Sequence, residues 1–149
     1  MSTKKDKAME LFLEGYNCSQ AVFGAFCEDL GLDSETALKL SSSFGAGMGK
    51  LREVCGAVSA MFMIAGLADG YSNPDATDEK TEHYKRIQEL AEEFKKKNDT
   101  IICRELLKNI KTKGGFTPEA RTEEYYKARP CARFVGDAAE IIEKYLNEA

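Results

Sequence analysis

The 149-residue chain has no tryptophan, three prolines and one histidine, and each scarcity removes a class of chemistry. With His83 as the only histidine, a serine nucleophile has no evident general base and a Cys–His dyad has little support. His83 precedes Tyr84 among glutamates and lysines, so it is expected on a solvated helix face. No C-x-x-C occurs, which argues against a thioredoxin-like dithiol and a sequence-local zinc finger; without C-x-x-C-H, covalent c-type haem is excluded. No apolar run approaches the ~20 residues of a membrane span. The longest, from Val54 to Ala68, is interrupted by Gly56, Ser59 and Gly66. Met1 to Lys7 is polar and no secretory apolar stretch follows it, so a cytoplasmic location is expected. A net charge of −4 gives nucleic-acid binding no electrostatic support.

Alternating β-branched stretches, internal repeats and dividing linkers are also lacking, whereas helical periodicity covers nearly everything. Ala8, Leu11 and Phe12 predict a first amphipathic helix closed near Gly15. Asn17 is a good cap for a second, with Ala21, Val22, Ala25, Phe26 and Leu30 as its stripe. A third runs from Asp33 or Ser34 to Leu40. The fourth, about Arg52 to Ala68, is apolar nearly all round and is expected to be central and buried. A fifth, about Asp78 to Lys97, buries Tyr84, Ile87, Leu90, Ala91 and Phe94. A short sixth starts at Asp99 or Thr100, and Thr117-Pro118 begins another over Glu119 to Lys127. The last starts at Pro130. The prediction is one all-α domain over residues 1–149, a helical bundle of about six to eight helices around a central apolar helix. Helix four could equally hold a homodimer interface.

Phe44 to Lys50 reads FGAGMGK. A P-loop requires glycine where Phe44 stands and Ser or Thr where Leu51 stands, and the dinucleotide fingerprint requires glycine at Lys50. Nucleotide binding is therefore not expected, and the glycines read as a site of close chain approach.

Five cysteines remain. Cys27 lies between Phe23 and Leu30 at helical spacing and reads as core. Cys18, Cys103 and Cys131 fall near predicted helix starts, and Cys55 lies beside the glycine run. A helix start offers unpaired N–H groups and a positive dipole end, which favour thiolate. In a reducing compartment several cysteines point to metal binding or redox chemistry more than to structural disulfides. The four are widely spaced, so a joint site must be assembled by the fold.

The runs Asn17-Cys18-Ser19-Gln20-Ala21-Val22 and Cys55-Gly56-Ala57-Val58-Ser59-Ala60, followed by Cys103-Arg104 and Pro130-Cys131, occur in the order of a known pattern. The chain resembles the C-GCAxxG-C-C family of small bacterial and archaeal proteins labelled redox-active. The resemblance implies that the characteristic cysteines are Cys18, Cys55, Cys103 and Cys131, and leaves Cys27 without a counterpart. Two positions depart from it: Cys55-Gly56-Ala57 stands where the family name reads Gly-Cys-Ala, and Ala60 stands where a glycine is expected. Related domains are associated with redox proteins in which iron–sulfur ligation is implied.

Three readings follow. Cys18, Cys55, Cys103 and Cys131 hold zinc or an iron–sulfur cluster, for which four thiolates are the usual number. Alternatively, pairs of them cycle between dithiol and disulfide with an unidentified redox partner, Cys18 and Cys131 being the most attackable. In the third reading, the domain is structural or interactive and its cysteines simply pack.

Overall fold

Reciprocal hydrogen bonds between Thr3 and Asp6 start the first helix, and the same capping box, made by Asn17 and Gln20, starts the second. The computed structural model describes residues 3–112 and 114–148. Among these it contains eight right-handed α-helices, α1 (Lys4–Leu13), α2 (Cys18–Phe26), α3 (Ser34–Ser42), α4 (Gly56–Asp69), α5 (Thr77–Asn98), α6 (Cys103–Leu106), α7 (Glu123–Ala128) and α8 (Cys131–Glu148), and a 3-10 turn at Glu28–Leu30. The only β element in the described residues is an isolated antiparallel bridge between Val54 and Ile102. The fold is all-α, as the periodicity predicts, and no described helix is long and apolar enough to cross a membrane.

Helix α4 is the axis of the bundle. It buries Val58, Ala60, Met61, Ile64 and Ala65, and packs against α2, α5 and α8. Helix α1 closes the far side across α2 and α8. Ala60 is fully buried, so the methyl at this position is accommodated inside the core.

The register of α5 corrects the sequence reading. His83 is 8% exposed and Tyr84 is 53% exposed, the reverse of the expectation. The inward stripe runs through His83, Ile87, Leu90 and Phe94, at helical steps of four, three and four. That register places His83 against α4, with Tyr71 edge-on to its ring, and carries Tyr84 one position round to solvent. Polar neighbours in the sequence do not determine which face a residue takes.

Asn17 does more than cap. Its Oδ1 accepts from the Gln20 backbone N–H while its Nδ2 donates to the Ser42 carbonyl at the end of α3. Gln20 Nε2 donates to the Leu38 carbonyl, so the start of α2 is pinned to α3 at two points. Replacing Asn17 by alanine is expected to cost about 1–2 kcal/mol in urea unfolding, from the lost cap and the unpaired helix-end carbonyl. Gln20→Ala, which keeps the Oδ1 cap, should cost less.

Candidate functional site

Four of the five cysteines stand where a helix begins. Cys18 opens α2, Cys103 opens α6 and Cys131 opens α8, while Cys55 is the residue that caps α4. The expected start of the central helix at Arg52 is corrected, because Arg52 has φ +61° and Cys55, at φ −52° and ψ 131°, is not yet helical. The expected start of the sixth helix at Asp99 or Thr100 moves likewise to Cys103: Asp99 has φ +71°, and Thr100 Oγ1 accepts from the Ile102 N–H. All four thiols line one cavity of about 250 Å³, and Cys27 does not. Cys27 is fully buried in the core, its thiol donating to the Gly24 carbonyl.

Backbone pairing brings two of the four together. The segments 52–55 and 101–104 run antiparallel, joined by Cys55 N–H to Ile101 O at 2.7 Å and Cys103 N–H to Glu53 O at 2.6 Å. Alternation along an extended chain puts Cys55 and Cys103 on the same side of that pairing. A glycine brings in Cys18. A Cβ on Gly56 would lie 2.5 Å from Cys18 Sγ and 2.7 Å from the Phe44 carbonyl oxygen. Only glycine lets the start of α2 lie this close to the start of α4.

The FGAGMGK segment forms a left-handed turn. Ala46, Gly47, Met48, Gly49 and Lys50 all have φ between +56° and +71°, and Gly49 N–H donates to the Gly45 carbonyl. Left-handed backbone costs roughly 1–2 kcal/mol at each non-glycine residue, so Ala46, Met48 and Lys50 are strained. The turn carries Gly47 to where a Cβ would lie 2.6 Å from Cys103 Cβ, and it places Gly45 beneath the Asn17 side chain. Close chain approach is therefore the glycines' role, but the partners are Cys103 and Asn17.

The cavity wall is cationic. Lys50, Arg52, Arg121 and Arg129 line it, and Glu119 is the one carboxylate among its lining residues. Arg52 Nη1 lies 3.9 Å from Cys103 Sγ and its Nη2 lies 3.9 Å from Glu119 Oε2; Arg129 pairs with the same carboxylate oxygen. Arg121 donates to the carbonyls of Phe12 and Tyr16 and lies over the rings of Phe12 and Tyr125. The expected helix over Glu119–Lys127 begins instead at Glu123, with Thr122 as its cap, which leaves Glu119 in irregular chain.

Burial governs the thiols. It pushes Cys55 well above its ordinary range, with Cys18 and Cys131 nearby raising it further. Burial and then Cys18 push Cys131 up to about 12 despite the Arg129 guanidinium. Cys103 is raised by burial, opposed by its hydrogen bond from Arg52. The Tyr125 phenol is likewise raised to about 12 by burial and by Cys131. Positive helix ends therefore do not make thiolates of Cys55, Cys103 or Cys131: desolvation outweighs them. Cys18 lies close enough to act electrostatically on the other three. All five cysteines are free thiols. Among the described residues, no three His, Cys, Asp or Glu side chains are grouped to hold a single metal ion.

The sequence reading selected the cysteines and missed the charged wall. Nothing local in the sequence marks Glu119, Arg52 or Arg129 as facing the same space.

The family model described as "Putative redox-active protein (C_GCAxxG_C_C)" matches residues 16–145, a span that includes all four cavity cysteines. Comparison with curated proteins and with solved structures gives no match. The match covers most of the chain, and the chain belongs to that family.

Proposed function

We propose that this member of the C_GCAxxG_C_C family is a redox protein whose four cavity thiols, Cys18, Cys55, Cys103 and Cys131, hold an iron–sulfur cluster. The observation that carries this reading is the placement of four thiols from four separate segments around one cavity of about 250 Å³. A single zinc ion needs its donors to converge at about 2.3 Å, and no three donors among the described residues are so grouped. A cluster brings its own sulfides and is ligated by four cysteine thiolates, so an all-cysteine set of four suits it. Such a group supplies one-electron transfer when bound.

The chain's own contribution is electrostatic and steric. Four thiolates carry negative charge into a half-buried space, and Arg52, Arg121, Arg129 and Lys50 stand ready to offset it. Phe12, Leu106, Leu107 and Phe134 furnish apolar wall that limits water. The raised thiols speak against the alternative of thiol–disulfide cycling. That chemistry requires an accessible thiolate, whereas Cys55, Cys103 and Cys131 are held protonated until a cation displaces the proton.

The test is anoxic purification followed by iron and acid-labile sulfide analysis and a visible absorption spectrum. Iron and sulfide in stoichiometric amounts are expected, lost on replacing Cys55 or Cys103 by serine and retained on replacing Cys27. A protein that binds neither iron nor sulfide, and forms one defined disulfide on mild oxidation, would establish the thiol–disulfide reading instead. If the four serine substitutions alter stability alone, the cysteines only pack.

A further inference from the structure

Glu119 stands out in its segment. Of the described residues between 111 and 120 it alone is not exposed, and it turns inward to the two guanidinium groups of Arg52 and Arg129. Arg129 has a side chain only 5% exposed, and a cation so buried requires an anion beside it. Something negative must occupy this point, one side chain away from the Cys103 sulfur, which Arg52 also touches.

The chain that delivers Glu119 is irregular and is held through side chains. Described residues from Lys111 to Arg121 make no backbone–backbone hydrogen bond among those outside helices. The segment is anchored through side chains: Lys50 Nζ donates to the Thr117 carbonyl, Glu119 meets its two arginines, and Arg121 reaches across to Phe12 and Tyr16. Withdrawing Glu119 therefore breaks no helix and no sheet ladder. Beyond it lies the thiol cavity, which has room for a small molecule.

We propose that Arg52 and Arg129 form a carboxylate-binding subsite at the thiol cavity, occupied in this structure by the protein's own Glu119, and that a small carboxylate-bearing molecule takes its place. The guanidinium forks match the planar two-oxygen geometry of a carboxylate. The bound molecule's remaining atoms extend over the four cysteines. This subsite depends on the arginines and not on whether the thiols hold iron, so it is tested on metal-free, reduced full-length protein.

Glu119→Ala removes the internal occupant and leaves Arg129 unpaired, and the thermal midpoint should fall. Acetate should restore it, while acetamide, which is neutral, should not at the same concentration. In the wild type, acetate should raise amide exchange across residues 114–122 by displacing Glu119, at a concentration about tenfold higher than that needed for rescue, because the internal carboxylate keeps the open state scarce. Arg52→Lys in the Glu119→Ala background should weaken the rescue. Equal effects of acetate and acetamide would overturn the subsite. Rescue by inorganic phosphate but not acetate would overturn its assignment to carboxylates. Rescue of the variant without displacement in the wild type would reduce Glu119 to a structural ion pair.

Discussion

Gly56→Ala is expected to destabilise the protein by about 2 kcal/mol or more and to abolish iron retention. Alanine inside a helix is normally worth up to about 1 kcal/mol over glycine, so propensity alone favours the substitution. Sterics reverse the sign. The new methyl would lie 2.5 Å from Cys18 Sγ, 2.7 Å from the Phe44 carbonyl oxygen and 3.1 Å from the Ser19 N–H nitrogen. Two of these three are backbone atoms, one of them in the first turn of α2, and they cannot step aside as a flexible side chain could. The start of α4 must then move from the start of α2, separating Cys18 from Cys55. Gly24→Ala is the control. Its methyl would meet only the ends of Leu11 and Leu38 at 3.4 Å, so stability should be unchanged or slightly raised. Urea unfolding and iron content of both variants decide it; matching behaviour would show that the Gly56 contact does not hold the cysteines together.

That contact also marks the limit of what the sequence carries. The start of α2 is legible because it is local: Asn17 caps it by accepting from the Gln20 N–H three residues on, and Cys18 follows directly. The starts expected at Arg52, Asp99 and Glu119 fall three or four residues later, because no such local cap fixes a helix there. The division of cysteines into four and one was legible for a similar reason, since Cys27 shares a helical face with Phe23 and Leu30. Position 83 was misread because a lone histidine takes its surroundings from the i+4 and i+7 residues, not from the glutamates beside it. Glu119 could not be foreseen: the charge that draws it inward belongs to Arg129, ten residues on, and Arg52, far back in the chain. The left-handed turn was likewise hidden, because only two of its five residues are glycine. Thiol electrostatics has the opposite sign in the folded chain, because the helix N-terminus that favours thiolate is local and the burial that opposes it is not.

The sign of that electrostatic effect has a direct consequence for reactivity. In reduced, metal-free protein near neutral pH, Cys131 is expected to alkylate about 30-fold more slowly than in urea-unfolded chain. Raising the thiol from its ordinary 9.0 to about 12 lowers the thiolate fraction roughly 1000-fold, and the greater nucleophilicity of a more basic thiolate recovers about half of that on a logarithmic scale. Cys55 should be slower still, since it is more deeply buried and its thiol is also raised. The same shifts set a stability window. A group whose folded-state pKa lies above its unfolded value contributes stability that is fully present below the unfolded pKa, here 9.0, and that is lost as pH climbs through about 12. Metal-free protein should therefore weaken steadily in alkali above pH ~9, with Cys55 and Cys103 acting in the same direction. Iron-loaded protein should resist that loss, because ligated thiolates have no proton left to give up and loading itself releases protons. Site-resolved mass spectrometry of alkylation, with urea midpoints across the alkaline range, reads both effects. If Cys131 alkylates as fast in folded as in unfolded chain, the cavity thiols are ready nucleophiles, and thiol–disulfide exchange becomes the better account of the site.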